Sequence, residues 1–184
     1  RGIRERLLSL PELKGKGIQL DKAKQHYTGD SQGGIYGATY IALSQEVTRA
    51  VLGVPGQNYS ILLTRSVDFI PYFTIMRARY VDPVDRTIML SAGQILWDQV
   101  DPVSYFRHME LDPFPKTPKH RVILGSAKGD YQVALLTNEI TARSGLGIKV
   151  MKGYGKALFG IDEADYPREG SGLVNWDYGN PWQI

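Results

Sequence analysis

His26-Tyr27-Thr28-Gly29-Asp30-Ser31-Gln32-Gly33-Gly34 is the stretch whose reading decides the fold. It reads as the end of a strand, a turn crowded with glycine, and the start of a long helix with small residues on its near face. Within it, Gly29 to Gly33 match G-x-S-x-G, the pattern in which a sharp strand-to-helix turn holds a serine oxygen exposed above a sheet. Just beyond the turn, Ile35, Ala38, Ile41, Ala42 and Val47 recur at helical spacing, which predicts a helix ending before Arg49. Gly34 and Gly37 allow that helix to approach the sheet closely. On the upstream side, Asp21 is placed to N-cap a short helical stretch leading into a strand near 24–28. Before it, Ile3, Leu7, Leu8, Leu10 and Leu13 lie at mainly helical spacing, interrupted by Pro11 and closed by Gly15 and Gly17.

Downstream, Ala50-Val51-Leu52-Gly53-Val54 is a short apolar run stopped by Pro55-Gly56, which fits a parallel strand buried on both faces. Residues 57–118 carry aromatic, proline-punctuated helical segments at 69–80, 86–97 and 103–109. That block is too long for one crossover helix, so an inserted helical cap is expected over about 57–118. Its aromatic residues Tyr72, Phe73, Tyr80, Trp97, Tyr105 and Phe106 suit either the packing of the cap or the wall of a substrate pocket. A strand over 121–126, a helix over 133–143 and weaker strands over 147–151 and 173–176 complete the pattern. The expected class is α/β, a single domain with a mostly parallel sheet and helices on both faces.

The 184 residues carry 42% hydrophobic and 22% charged side chains, enough for one ordinary globular domain. A net charge of +3, without a basic cluster interleaved with aromatics, gives no reason to expect nucleic acid as a partner. Cysteine is absent, which excludes disulfides and thiolate-held zinc but leaves the compartment open, secreted or periplasmic included. No apolar run reaches the roughly 18 to 20 residues of a membrane-spanning helix. The three histidines make no ligand pair, and the glycine turn lacks the Lys-Ser or Lys-Thr ending of a phosphate loop, so no metal or cofactor is expected.

Two motifs carry a family resemblance. The elbow G-x-S-Q-G-G at Gly29 to Gly34 and the acid turn G-D-x-Q-V at Gly129 to Val133 resemble the α/β-hydrolase superfamily, most of all its bacterial esterase-like or peptidase-like members. The resemblance implies a parallel sheet and a Ser-His-Asp triad that hydrolyses an ester or amide through a covalent acyl-enzyme. It casts Ser31 as nucleophile, Asp130 as the acid that orients the base, and the Gln32 backbone N–H as one half of the oxyanion hole. Substrates of that kind are small-molecule, lipid or peptide acyl compounds. Oligomeric state is not fixed by these residues.

The family's early strands, which hold the other oxyanion donor, have no counterpart here, and His26, His108 and His120 all precede Asp130. The chain therefore reads as an interior or C-terminal piece of a larger hydrolase, with the catalytic histidine expected beyond Ile184. Other readings stay open: Asp162 or Asp165 as the acid, one of the three histidines as base through unusual geometry, or a hydrolase-like binding domain or inactive fragment that keeps the elbow as a relic.

Overall fold

Six short strands make one sheet in the computed structural model, which describes residues 5–7, 9–21, 23–145 and 147–181. They are β1 (His26–Asp30), β2 (Arg49–Gly53), β3 (Arg121–Ala127), β4 (Lys149–Met151), β5 (Glu163–Ala164) and β6 (Gly172–Trp176). Their order across the sheet is β1-β2-β3-β6-β4-β5, and every pairing is parallel. The expected strands near 24–28, 50–54, 121–126, 147–151 and 173–176 are all present with shifted ends. The last of them lies between β3 and β4. Glu163 and Ala164 form the short edge strand β5.

The helices are α1 (Pro11–Gly15), α2 (Gln32–Leu43), α3 (Tyr59–Leu62), α4 (Ile70–Arg79), α5 (Pro83–Trp97) and α6 (Leu135–Ser144). Short 3-10 turns at Leu63–Arg65, Val67–Phe69, Pro102–Ser104 and Phe106–His108 link the helices between β2 and β3. The helix expected from Asp21 is instead a local turn. The Asp21 carboxylate accepts the Ala23 N–H at 2.8 Å, an alternative to helix that a short acidic side chain readily offers.

Side chains alternate across the sheet, and among the described residues only one face is packed. Leu52, Leu124 and Leu173 stand in register and are fully buried with Ala50, Val122 and Val150 against Ala38, Ile41 and Ala42 of α2 and Leu135 and Ala142 of α6. Phe106 and Met109 join the same core, so the end of the 57–118 block belongs to the main body. On the opposite face Val51 and Ile123 stay 44% and 48% exposed. The expectation of helices on both faces is therefore met on one face only among the described residues. Sequence could not separate the two cases, because the Ala50 to Val54 run is apolar on both sides of the strand.

The rest of the helical block is loosely packed. No side chain of α4 is buried, and α5 buries only Leu90. It is pinned at its base by Asp101, a fully buried carboxylate that accepts from the Tyr59 N–H at 2.8 Å, Gln94 Nε2 at 2.9 Å and the Val103 N–H at 3.1 Å. Three donors replace the water lost on burial, which is the condition for keeping a charge inside a protein.

Tyr154 gives the core a measurable pH dependence. Its hydroxyl donates to Glu139 Oε1 at 3.1 Å, and burial, with the Glu139 charge beside it, pushes the phenol above its ordinary value of 10.0. The folded state holds this proton more tightly than the unfolded chain, so the stability it brings is complete below pH 10.0 and lost as pH rises further. Tyr154→Phe is expected to flatten that alkaline fall in urea-unfolding stability, at a cost near neutrality of about 1 kcal/mol for the lost hydrogen bond.

Candidate active site

The elbow is built by backbone contacts. Ser31 has φ 54° and ψ −123°, a conformation that costs a residue with a Cβ of the order of 1–3 kcal/mol and is held only by its surroundings. Those surroundings are visible. The Ser31 N–H donates to Gly53 O at 3.0 Å, tying the turn to the end of β2. Its own carbonyl accepts from the Gly34 and Ile35 N–H groups, both at 2.9 Å, and so starts α2. Tyr27 reaches from β1 under the first turn of that helix, where its hydroxyl donates to Gly33 O at 2.8 Å.

Glycine is required twice here by space. A Cβ on Gly29 would lie 2.5 Å from Gly33 O, and one on Gly34 would fall inside the contact distance of Gly53 O. The strand, the turn and the helix can approach only because both side chains are missing. Ser31 and Gln32 are exposed as a result, and the Gln32 N–H belongs to the first turn of a twelve-residue helix, where backbone donors have no intrahelical acceptor.

Asp130 follows β3 on the same edge of the sheet. Its Oδ1 accepts from the Gln132 N–H at 2.8 Å and the Val133 N–H at 3.0 Å, which fixes the carboxylate in the loop leading to α6. The loop is fastened to the helical block: the Val67 N–H donates to Tyr131 O at 2.9 Å, and Gln132 Nε2 reaches both Asp68 carboxylate oxygens at 3.3 Å. It is also tied to the end of β6 by the Lys128–Asp177 ion pair at 2.9 Å. That ammonium and the Gly179 N–H hold the Asp177 carboxyl below the usual carboxylate range. In register Asp30 stands beside Gly53 and Gly53 beside Gly125, so β1 and β3, the strands that Ser31 and Asp130 follow, lie two strand spacings or about 10 Å apart.

The other acids lie elsewhere. Asp162 pairs with Lys149 and Asp165 with Lys152, both at the β4–β5 border, far across the sheet from β1. The three histidines cluster at the opposite edge. His26 opens β1, some 16 Å from Ser31 at the rise of an extended strand. His120 is fully buried just before β3, donating from Nε2 to Ser44 O at 2.9 Å. His108 donates from Nδ1 to Asp112 O at 2.6 Å and stacks on Phe114, on the turn whose Met109 carbonyl accepts the His120 N–H. No histidine of the chain stands at the Ser31 edge.

Of the aromatic residues, Tyr36, Tyr59 and Trp97 form a chain of ring contacts with centroids 6.2 and 5.9 Å apart, joining α2 to the helical block. Burial and the neighbouring Tyr36 push the Tyr59 phenol well above its ordinary range, so it stays neutral. Tyr36 and Tyr59 carried no sequence signal that set them apart from other surface aromatics. The same holds for Tyr27, whose role depends on where the Gly33 carbonyl points.

No helix among the described residues is long and apolar enough to cross a membrane, and none of their His, Cys, Asp and Glu side chains group into a metal site. Comparison of the chain with protein-family models and with curated proteins returned no match.

Proposed function

We propose that the chain carries the nucleophile, the orienting acid and half of the oxyanion hole of a serine hydrolase of the α/β-hydrolase type. The observation that carries this reading is the backbone of Ser31: a strained, exposed serine held between a parallel strand and a helix N-terminus by contacts that leave no room for a Cβ on Gly29 or Gly34. Asp130, immobilised by two backbone donors past the second strand over, supports it.

In this reading an imidazole from polypeptide outside these residues stands between Ser31 and Asp130. It accepts the Ser31 hydroxyl proton as Oγ attacks the acyl carbon, and the carbonyl π pair moves onto oxygen. The Gln32 N–H and the N-terminus of α2 stabilise that oxyanion, a donor of this kind contributing about 3 to 4 kcal/mol. Collapse expels the alcohol or amine, which takes the proton from the imidazolium, and water then releases the acid by the same steps reversed. Asp130 keeps the ring in the tautomer that can accept. The acyl substrate itself, whether small ester, lipid or peptide, is set by the walls of the site.

The test is turnover of a chromogenic acyl ester by the intact natural polypeptide. Asp130→Asn is expected to lower kcat by about 10⁴-fold, because an amide holds the ring in the wrong tautomer. Asp165→Asn should change it little, since that carboxylate only pairs with Lys152. An unaltered rate in the Asp130 variant would defeat its assignment as the orienting acid, and absence of turnover by the unaltered polypeptide would favour a hydrolase-like binding domain.

A further inference from the structure

Glycine and valine exchange their usual places where the chain leaves β2. Gly53 and Gly56 are required there by space and not by their dihedral angles. A Cβ on Gly53 would run into Asp30 Oδ1, and one on Gly56 would run into Thr137 Oγ1 and lie 2.6 Å from Val133 Cγ1. Between them Val54 has φ 45°, the left-handed region that glycine occupies without cost and that a side chain branched at Cβ enters only under constraint. Of the three non-glycine residues with positive φ among those described, two stand at this part of the sheet: Ser31 and Val54.

Both neighbours of β2 hold Val54 in this conformation. The Ser31 N–H donates to Gly53 O at 3.0 Å and the Val54 N–H donates to Gly125 O at 2.7 Å, so residues 53 and 54 tie the elbow after β1 to β3. The Val54 side chain packs against a small apolar cluster of Ile35, Leu62 and Val133, distinct from the main core. Its members come from different parts of the site. Ile35 lies in the first turn of α2, with its N–H on Ser31 O at 2.9 Å, and the Val133 N–H donates to Asp130 Oδ1 at 3.0 Å. The cluster therefore joins the backbone that presents Ser31 to the backbone that holds Asp130, and Val54 is what β2, the strand between β1 and β3, adds to it. A strained conformation persists where its surroundings or its task require it. Glycine at position 54 would relieve the strain and keep every backbone hydrogen bond, so the valine contributes only its branched hydrocarbon.

We propose that Val54 is a positioning residue, its side chain acting as a spacer that sets the separation of the Ser31 elbow from the Asp130 loop. This rests on the serine-hydrolase reading above, in which one imidazole has to bond both groups at once. Val54 acts through that spacing and not on the substrate. With the spacer shortened, Ile35 and Val133 settle into the space it leaves, and the elbow and the acid loop move with them. A ring placed between them then satisfies one of its two hydrogen bonds at the expense of the other.

Turnover of a chromogenic acyl ester by variants of the intact natural polypeptide tests it. Val54→Ala keeps the Cβ, and with it the strain, but removes both methyl groups; kcat is expected to fall about 10²-fold, as for a displacement of about 1 Å, with KM changed by less than about threefold. Val54→Thr keeps the branched shape and should bring kcat back to within about threefold of the natural chain. Val54→Gly removes the methyl groups and the strain together and should show the same loss as alanine, so the test stands if the alanine variant fails to fold. Urea midpoints identify the variants that are folded under the assay conditions. A kcat within about threefold of the natural chain in the folded alanine or glycine variant would overturn the proposal. Equal losses in the alanine and threonine variants would overturn it too, as would a rise in KM alone, which belongs to a wall of the substrate site. Failure of the hydrolase reading looks different: turnover is absent from the unaltered polypeptide or survives Ser31→Ala, and the positioning role falls with it.

Discussion

Ser31→Ala in the intact natural polypeptide is expected to lower kcat for acyl-ester hydrolysis by the order of 10⁶-fold and to abolish covalent labelling by a fluorophosphonate. The size follows from the role: without Oγ no acyl-enzyme forms, and only the weak catalysis left by the oxyanion donors remains. The same substitution should leave urea-unfolding stability within about 0.5 kcal/mol, because the hydroxyl makes no capping bond to α2 and alanine retains the Cβ that strains the turn. A large rate loss with unchanged stability separates chemistry from structure. Undiminished labelling would show that the serine at the tip of the elbow is not the reacting group.

Gly34→Ala should be the most damaging single-methyl change in the chain, destabilising it by about 3 kcal/mol or more. The added Cβ would collide with Gly53 O and lie 3.1 Å from Gly53 C and 3.2 Å from Gly29 O. All three are backbone atoms of β1 and β2, so no rotamer change relieves the clash. Helix α2 would have to lift from the sheet, uncovering Ala38, Ile41 and Ala42. Gly33→Ala is the matched control. Its Cβ would meet only the Tyr27 hydroxyl, at 3.9 Å, and better helix propensity should make it neutral or stabilising by up to about 1 kcal/mol. Urea midpoints at unchanged slope read both effects. If the two variants behaved alike, the close approach of α2 to the strand ends would be wrong.

What was legible in the sequence was local. β1, the elbow and α2 were readable because a strand ending, a glycine-rich turn and a 3.6-residue period follow one another within 18 residues, from His26 to Leu43. β2 and β3 were readable as apolar runs between turn residues. The loop position of Asp130 followed from the glycine before it. What depends on distant parts of the chain was not legible. Periodicity cannot say that β6 inserts beside β3, that Val51 and Ile123 remain uncovered, or that Phe106 and Met109 leave the helical block to join the main core. The Asp21 region shows the local limit, since a helix cap and an isolated turn use the same carboxylate-to-amide bond and only tertiary packing decides which continues.

The insertion of β6 between β3 and β4 has a consequence for how the polypeptide is made. The strand nearest the C-terminus of the sheet is also the one that joins its two halves, pairing with Ile123 to Ala127 on one side and with Lys149 and Val150 on the other. During synthesis β1, β2 and β3 emerge well before residue 176, and until then β3 and β4 each present an unsatisfied border at what becomes the middle of the sheet. These are long-range pairings, late and entropically costly to close, so vectorial folding from the ribosome cannot finish the core one strand at a time. The nascent chain has to wait for a five-residue segment, Gly172–Trp176, before its centre exists.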